Sequence, residues 1–459
     1  MLQLANLIGP DLRAALDDDP EGLREVLVDM HPEELAEIIE DLGDMESVEL
    51  IRLMGPDLAA DVLQRLPPDR QVDVMESLEA DEAAELLSEM DPDDRVDVVQ
   101  ELTDDHAELV LAALQRAEPE AAEEIRELVH YPPESAGGLM TTDVISLPPE
   151  TKVWQAIERV REIAHAEDPE TIYYIYVCAY GGKLMGVVSL REMILGDPGQ
   201  TLAELMNPKV VRVEATDDQE VVADTIARYD LPAIPVVDEH ERLLGLVTVD
   251  DVVDVVIEEA TEDAQKMGGV VPLEDSYFAT SFLEFVWKRG AVLVVLFMGQ
   301  LLTATVMEAN SALLAQTMTL VIFVPLILSS GGNTGSQSAA LVIRAMAVGE
   351  IEPSEWYKVL VHEVAMGLCL GLILGSMGFV RGYIAHGEEE ALHLGVAVGL
   401  STLCVVSLGA TLGSVLPLAT RRIGLDPAVS SNPLIASLSD VLGLTIYFAV
   451  AGFVLHVVF

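Results

Sequence analysis

Lysine is nearly missing from this chain, with six residues in 459. Lys and Arg together number 25 against 78 Asp and Glu, for a net charge of −53. A surface of that sign repels phosphate, which excludes nucleic acid as a partner. The three cysteines, Cys178, Cys369 and Cys404, have neither paired nor metal-type spacing. A disulfide framework is therefore not expected, and a reduced cytoplasm is the simple reading. The nine histidines are scattered, "HEVAM" lacks a second His, and no nucleophile motif occurs, which argues against an enzyme. The opening "MLQLANLIGPDLRAALDDDP" has no basic stretch and does not read as a signal peptide.

The charge that is present is unevenly placed. Residues 1–284 hold 68 Asp and Glu against 18 Lys and Arg, while residues 285–459 hold 10 against 7. An acidic soluble half is joined to a nearly neutral, apolar one, and 459 residues exceed the usual single domain. Lys-poor, acid-rich surfaces are also what salt adaptation produces, so a single acidic residue is weak ground for a metal site.

Residues 19–114 are a repeat of twelve. "DPEGLREVLVDM", "HPEELAEIIEDL", "GDMESVELIRLM" and "GPDLAADVLQRL" lead into "PPDRQVDVMESL", "EADEAAELLSEM", "DPDDRVDVVQEL" and "TDDHAELVLAAL". The eighth, ninth and twelfth positions are always apolar, which is one helix face. Pro at the second position of several units suits the first helical residue, and acids follow where the helix dipole favours them. One short helix cannot bury such a stripe alone but a stack can, so residues 1–136 are expected to form an all-α superhelical N domain without catalytic features.

From residue 137 the pattern changes twice to strand, turn, strand, helix. "TIYYIYVCAYGGKLMGVVSLREMI" and "DLPAIPVVDEHERLLGLVTVDDVVDVV" share that order. With the entries "MTTDVISLPPET" and "MNPKVVRVEATDD", they resemble a tandem pair of CBS domains, spanning 137–203 and 204–257. The resemblance implies an α/β pseudo-dimer that often binds adenine nucleotides such as ATP. Thr248 and Asp251 match the ribose-contacting pattern, whereas the first domain has Ser189 followed by Glu192. A pair that serves packing alone is the other reading. Residues 258–284 follow as an acidic connecting helix and linker. Its pairs Glu258 and Glu262, and Glu259 and Asp263, are four apart and repel, so the face is either solvated or covered by cations.

Residues 285–459 contain five apolar segments, at about 290–307, 312–343, 359–380, 391–418 and 433–459, each long enough to cross about 30 Å of hydrocarbon. Lys288, Arg289, Arg344, Lys358, Arg421 and Arg422 fall on one side and only Arg381 on the other, which puts the acidic half in the cytoplasm and the C-terminus outside. The second segment is interrupted by "SSGGNTGSQS", which fits close helix packing, the wall of a water-filled path, or both. In the fifth, Asn432, Ala436 and Asp440 lie four apart, and Asp440 has no partner in its own helix. A carboxylate at that depth is a candidate pathway residue, with a core hydrogen bond to Ser or Asn as the plainer account.

"YPPESAGGLMT", "PLILSSGGNTGSQSA" and "LPLATRRIGLDPAVSSNPLIASLSDVLGLTIYF" together resemble the MgtE family of magnesium channels and transporters, over almost the whole chain in order. The fold expected is a multidomain membrane protein, with a superhelical N domain, a tandem CBS pair, a connecting acidic plug helix and a five-helix transmembrane domain. The resemblance implies a homodimer in the inner cell membrane, crossing the lipid bilayer several times, with its pore on the two-fold axis. Asn432, Ala436 and Asp440 match the ion-lining positions. Mg2+ keeps its waters, so hard oxygen acceptors that hold the hydrated ion suit it, and Cys and His are absent there. The resemblance also implies closure by cytoplasmic Mg2+. Asp91, Asp94, Asp218, Glu220, Asp230, Asp251, Glu259, Glu262, Asp263 and Asp426 match or lie near its sensor positions. Rival readings are a membrane-anchored CBS nucleotide sensor that transports nothing, a CBS-regulated carrier of another divalent cation, and a CBS-bearing chloride channel, against which the acidic pore helix speaks.

Overall fold

The computed structural model describes residues 16, 19–40, 42–166, 172–273, 277, 280–351, 353–384 and 391–456. The chain divides into two compact units, Met1–Glu258 and Glu259–Phe459.

In the first unit each twelve-residue repeat is one helix. These are α1 (Pro20–Val28), α2 (Pro32–Glu40), α3 (Asp44–Met54), α4 (Pro56–Leu63), α5 (Pro68–Ser77), α6 (Ala80–Glu89), α7 (Pro92–Glu101) and α8 (Asp104–Ala117). Helix starts therefore fall twelve residues apart along the whole array. Pro occupies a first-turn position in several of them, where its missing N–H costs nothing, and Asp19 caps α1 by accepting from the Gly22 N–H at 3.1 Å. The eighth, ninth and twelfth positions form the core, as Ile38, Leu63, Met75, Leu87 and Leu114 illustrate. Val26, at the end of the array, is exposed instead. Each helix packs on the second one along, so that α1, α3, α5 and α7 form one column and α2, α4, α6 and α8 another. A ninth helix, α9 (Pro119–Leu128), closes against α7 and α8.

Two three-stranded sheets follow with the same plan. In the first, β1 (Ser146–Leu147) runs parallel to β2 (Tyr174–Cys178), which pairs antiparallel with β3 (Leu184–Ser189). In the second, β4 (Val213–Glu214), β5 (Ala233–Val237) and β6 (Leu243–Thr248) repeat that order. Both hairpins slip register at the same place, between Val177 and Cys178 and between Val236 and Val237. The Gly-Gly turn after β2 needs glycine at both positions, with φ of 87° and 82° at Gly181 and Gly182. Tyr176 and Leu184 of the first sheet share a cluster with Ala233, Val237 and Leu246 of the second, so the two modules bury one another. The helices are α10 (Val153–Ala166), α11 (Leu190–Leu195) and α12 (Leu202–Leu205) in the first module. In the second they are α13 (Gln219–Tyr229) and α14 (Val249–Met267). The "SAGG" junction is pinned to the second module, since the Gly137 N–H donates to Ala215 O at 2.9 Å and a Cβ there would meet that carbonyl.

The second unit holds α15 (Phe282–Ala309), α16 (Ser311–Gln316), α17 (Thr319–Ala347), α18 (Trp356–Ile384), α19 (Ala391–Arg422) and α20 (Asn432–His456). Among the described residues, α15, α18, α19 and α20 are long and apolar enough to cross a membrane. Helix α17 spans about 44 Å at 1.5 Å per residue, but its Ser, Gly, Asn and Gln stretch lowers its hydropathy. By sequence the second apolar segment covers about residues 312–343. In the structure it is split, because Thr317 leaves helical geometry at φ −131° and α17 starts at Thr319. Helix α19 is the hub, packing along α17, α18 and α20. Its Gly409 and Gly413 meet Gly331 and Gly335 of α17 backbone to backbone, and a Cβ on Gly413 would lie 2.1 Å from Gly335 O. The Gly413→Ala variant is therefore expected to force these helices apart and cost about 1–3 kcal/mol. Thermal unfolding in detergent checks this, and an unchanged midpoint would show that the contact can relax.

Candidate functional site

Helix α20 carries the carboxylate. Asp440 lies eight residues from Asn432, or about 12 Å along the axis. It is half-buried, as are Ala436 and Asn432, one and two turns before it. Its partner comes from another helix, since Gln300 of α15 donates Nε2–H to Asp440 Oδ2 at 3.0 Å. Thr303 in turn donates to Gln300 Oε1 at 3.5 Å, which turns the amide nitrogen toward the carboxylate. One neutral amide alone would not balance an ionised carboxylate inside an apolar helix.

Helix α17 forms the neighbouring wall. Gly331 and Gly335 lie where α19 and α20 both come close, since a Cβ on Gly331 would meet Val405 and Ser439 and one on Gly335 would meet Ile435 and Gly409, and Gly332 and Ser336 face α20 beside them. A Cβ on Gly332 would lie 3.5 Å from Ala436 Cβ, and Ser336 Oγ donates to Asn432 O at 3.4 Å. Ser329, Asn333 and Gln337, each four apart, form an exposed polar row on α17. The polar stretch thus packs closely through its glycines and presents an exposed polar row on another face.

The end of α14 lies against the same helices. Met267 packs with Ala339, Ile343 and Ile435, and Gly269, at φ +73°, sits beside Pro433. Lys266 Nζ lies 2.7 Å from Glu262 Oε2 and 2.7 Å from Asp426 Oδ2. Those two carboxylates raise its pKa against the opposing effect of burial. Asp426 also caps the short turn at Pro427–Val429 through the Ala428 N–H at 2.7 Å. Burial, with Asp426 next, raises the Asp263 carboxyl above its usual range.

In the first unit a cavity of about 680 Å³ is lined by Gln64, Asp94 and Asp97 from the repeat array and by Asp251, Asp254 and Glu258 from α14. Gln64 Nε2 donates to Asp91 Oδ2 at 2.8 Å and also to Asp94. Burial pushes Asp94 up to about 7, opposed by the Gln64 hydrogen bond and reinforced by Asp91 and Asp251. Asp97 is pushed up to about 7 by burial and then by Asp94. Asp251 is pushed up to about 6 by burial, against the hydrogen bond from Thr248 Oγ1 at 2.5 Å. The matching pair in the first module, Ser189 and Glu192, closes a capping box at the start of α11.

The sequence was compared with known proteins. Family profiles match residues 30–134 as "MgtE intracellular N domain", 136–196 and 202–258 as "CBS domain", and 324–450 as "Divalent cation transporter". The magnesium transporter MgtE of Thermus thermophilus is 41% identical over 342 residues, covering 74% of each chain. This chain belongs to the MgtE family. The Enterococcus faecalis magnesium transporter MgtE is 36% identical over 334 residues, 72% of each chain. A crystal structure of the soluble part of a magnesium transporter matches with a TM-score of 0.51 at 34% identity, covering 56% of this chain and 99% of that one.

Several positions matched to MgtE proteins from sequence come together. Asn432, Ala436 and Asp440 follow one another along α20. Asp94 and Asp251 share the cavity, with Asp91 joined through Gln64. Glu262 and Asp426 meet at Lys266, with Asp263 close by and Glu259 one turn earlier on α14. Asp218, Glu220 and Asp230 lie elsewhere, exposed on α13 and its two ends. There Asp218 is the N-cap, accepting from the Glu220 N–H at 2.9 Å, and Asp230 takes a left-handed cap at φ 50°. Among the described residues no three His, Cys, Asp or Glu side chains converge as a ligand set. Sequence reasoning passed over Gln300, Lys266 and Asp97. Gln300 was signalled by being a lone amide in an apolar helix, and Lys266 by its spacing four after Glu262.

The raised carboxyls fix a pH dependence. Asp94, Asp97 and Asp251 hold protons in the folded unit that the unfolded chain releases near 3.8. Their contribution to stability is full below that value and is lost as pH rises through about 6 to 7. The thermal midpoint of the soluble part of the intact protein, measured in EDTA by scanning calorimetry, is expected to fall between about pH 4 and pH 7. A flat profile would show that these carboxyls are not held in their raised state.

Proposed function

We propose that this chain carries Mg2+ into the cell through a homodimeric pore lined by Asn432, Ala436 and Asp440. The observation that carries the reading is Asp440, a carboxylate about 12 Å inside α20 with one neutral amide as its protomer partner. Two such groups facing each other across a two-fold axis would repel unless a cation lay between them. The exposed row of Ser329, Asn333 and Gln337 on α17 supports the same geometry, since it needs water or a second protomer to satisfy it. A hydrated Mg2+ passing this wall would meet hydroxyl, amide and carboxylate oxygens through its own waters.

In this reading α17 is a fifth span beside α15, α18, α19 and α20. The protein sits in the inner membrane with its N domain (1–136), CBS pair (137–203 and 204–257) and connecting segment (258–284) in the cytoplasm and its C-terminus outside. The basic residues at one set of helix ends support this orientation. Helix α14 is the plug, with its end against α17 and the start of α20. Cytoplasmic Mg2+ closes the pore by binding the acidic faces, and it shifts the equilibrium only by its preference for the closed state. Asp91, Asp94, Asp251, Glu259, Glu262, Asp263 and Asp426 are its proposed acceptors, with Asp218, Glu220 and Asp230 as further ones. ATP is proposed to reach Thr248 and Asp251, competing for the hydrogen bond that these two now share.

Mg2+ uptake into proteoliposomes tests the path. Asp440→Asn and Asp440→Ala are expected to lose most of the flux with the protein still folded, and persistence of flux in both would move the path elsewhere. Feedback is tested by the combined Glu259→Gln, Glu262→Gln and Asp263→Asn variant. Its uptake is expected to continue at internal Mg2+ levels that shut the wild type. Unchanged closure would return this helix's charge to surface solvation.

A further inference from the structure

The buried face of α18 is unusual in composition, consisting of Glu363 followed by Gly367, Gly371, Gly375, Gly378 and Gly382. The glycines let α18 lie directly on the α19 backbone, and a Cβ on Gly375 would lie 2.7 Å from Gly399 O. Glu363 continues the same row, yet it is 8% exposed and carries a carboxylate two turns inside a helix of membrane-crossing length. It reaches past α19, where Ser338 of α17 donates Oγ–H to Glu363 Oε2 at 2.6 Å and is itself 6% exposed. Helices α17 and α18 each pack mainly along α19 and meet directly where Val359 joins Val342 and Met346, so among the described residues this bond is the polar tie between them. An intramembrane carboxyl group is costly to keep, and a short bond from a buried hydroxyl gives it a specific structural object.

That object is α17. Ser338 and Ser336 are two residues apart and so point about 200° away from each other around the helix. The side tied to Glu363 is opposite the side on which Ser336 donates to Asn432 O and Gly332 meets Ala436. We propose that Glu363 is a positioning residue of the ion path, setting the rotation of α17 through Ser338 so that Ser336 and Gly332 face Asn432 and Ala436. The inference rests on the pore reading above, but it assigns a role to a residue that never touches the ion.

The test uses a full-length background with Cys178, Cys369 and Cys404 replaced by Ala and Ser336→Cys introduced. The rate of Ser336→Cys modification by a methanethiosulfonate reagent is measured against Mg2+ concentration. With Glu363 intact, Mg2+ is expected to slow modification. Glu363→Ala is expected to raise the half-protecting concentration about tenfold, the equivalent of losing one hydrogen bond of this kind. Glu363→Gln is expected to restore protection, because its amide oxygen still accepts from Ser338. Ser338→Ala breaks the same bond from the other end and serves where Glu363→Ala does not fold. It is expected to match Glu363→Ala, and the double variant to be no worse. If Glu363→Ala and Ser338→Ala protect like the parent, or if Glu363→Gln fails as fully as Glu363→Ala, the positioning role is wrong. If Mg2+ gives no protection even with Glu363 intact, it is the pore reading that fails.

Discussion

A carboxylate placed deep in an apolar helix must be met by something, and much of the membrane unit is arranged around that demand. Asp440 receives one hydrogen bond, from Gln300 on a helix 140 residues earlier in the chain. The rest of its surroundings depend on how closely α17 approaches. That approach is possible because Gly331 and Gly335 carry no side chain toward either α19 or α20, with Gly332 and Ser336 turned to α20 beside them. Small residues in this segment thus act twice, by removing bulk on one side and by exposing polar backbone and hydroxyl groups on the other.

The acidic half follows a different logic. Its cavity draws Asp94, Asp97 and Asp251 together, and ionisation there is disfavoured first by desolvation and then by neighbouring carboxylates. At the end of α14 the same kind of crowding is relieved by an internal cation, Lys266, between Glu262 and Asp426. In a chain with six lysines, one of them is placed where two carboxylates converge.

Local order was plainly legible in the sequence. A twelve-residue period carries its own helix starts and its own core positions, and the observed helices begin at Pro20, Pro32, Asp44, Pro56, Pro68, Ala80, Pro92 and Asp104 as that period requires. The two hairpins could be read from strand composition and the Gly181–Gly182 turn. The long-range pairs were not legible. Gln300 with Asp440, Ser338 with Glu363 and Gln64 with Asp94 join residues 25 or more apart, and no period in the chain encodes which polar side chains will meet. The break at Thr317 was missed because hydropathy is continuous across it, whereas backbone geometry is not.

On the α18 side the buried contact with α19 is largely glycine, with the Phe379 side chain set against Gly395 and Gly399. Glycine has no rotamers to freeze, so that face docks at little cost in side-chain entropy. A row of glycines also offers few knobs to resist sliding. Among the buried residues of α18, Glu363 is the one large group, so its bond to Ser338 supplies a fixed point that the glycine row does not.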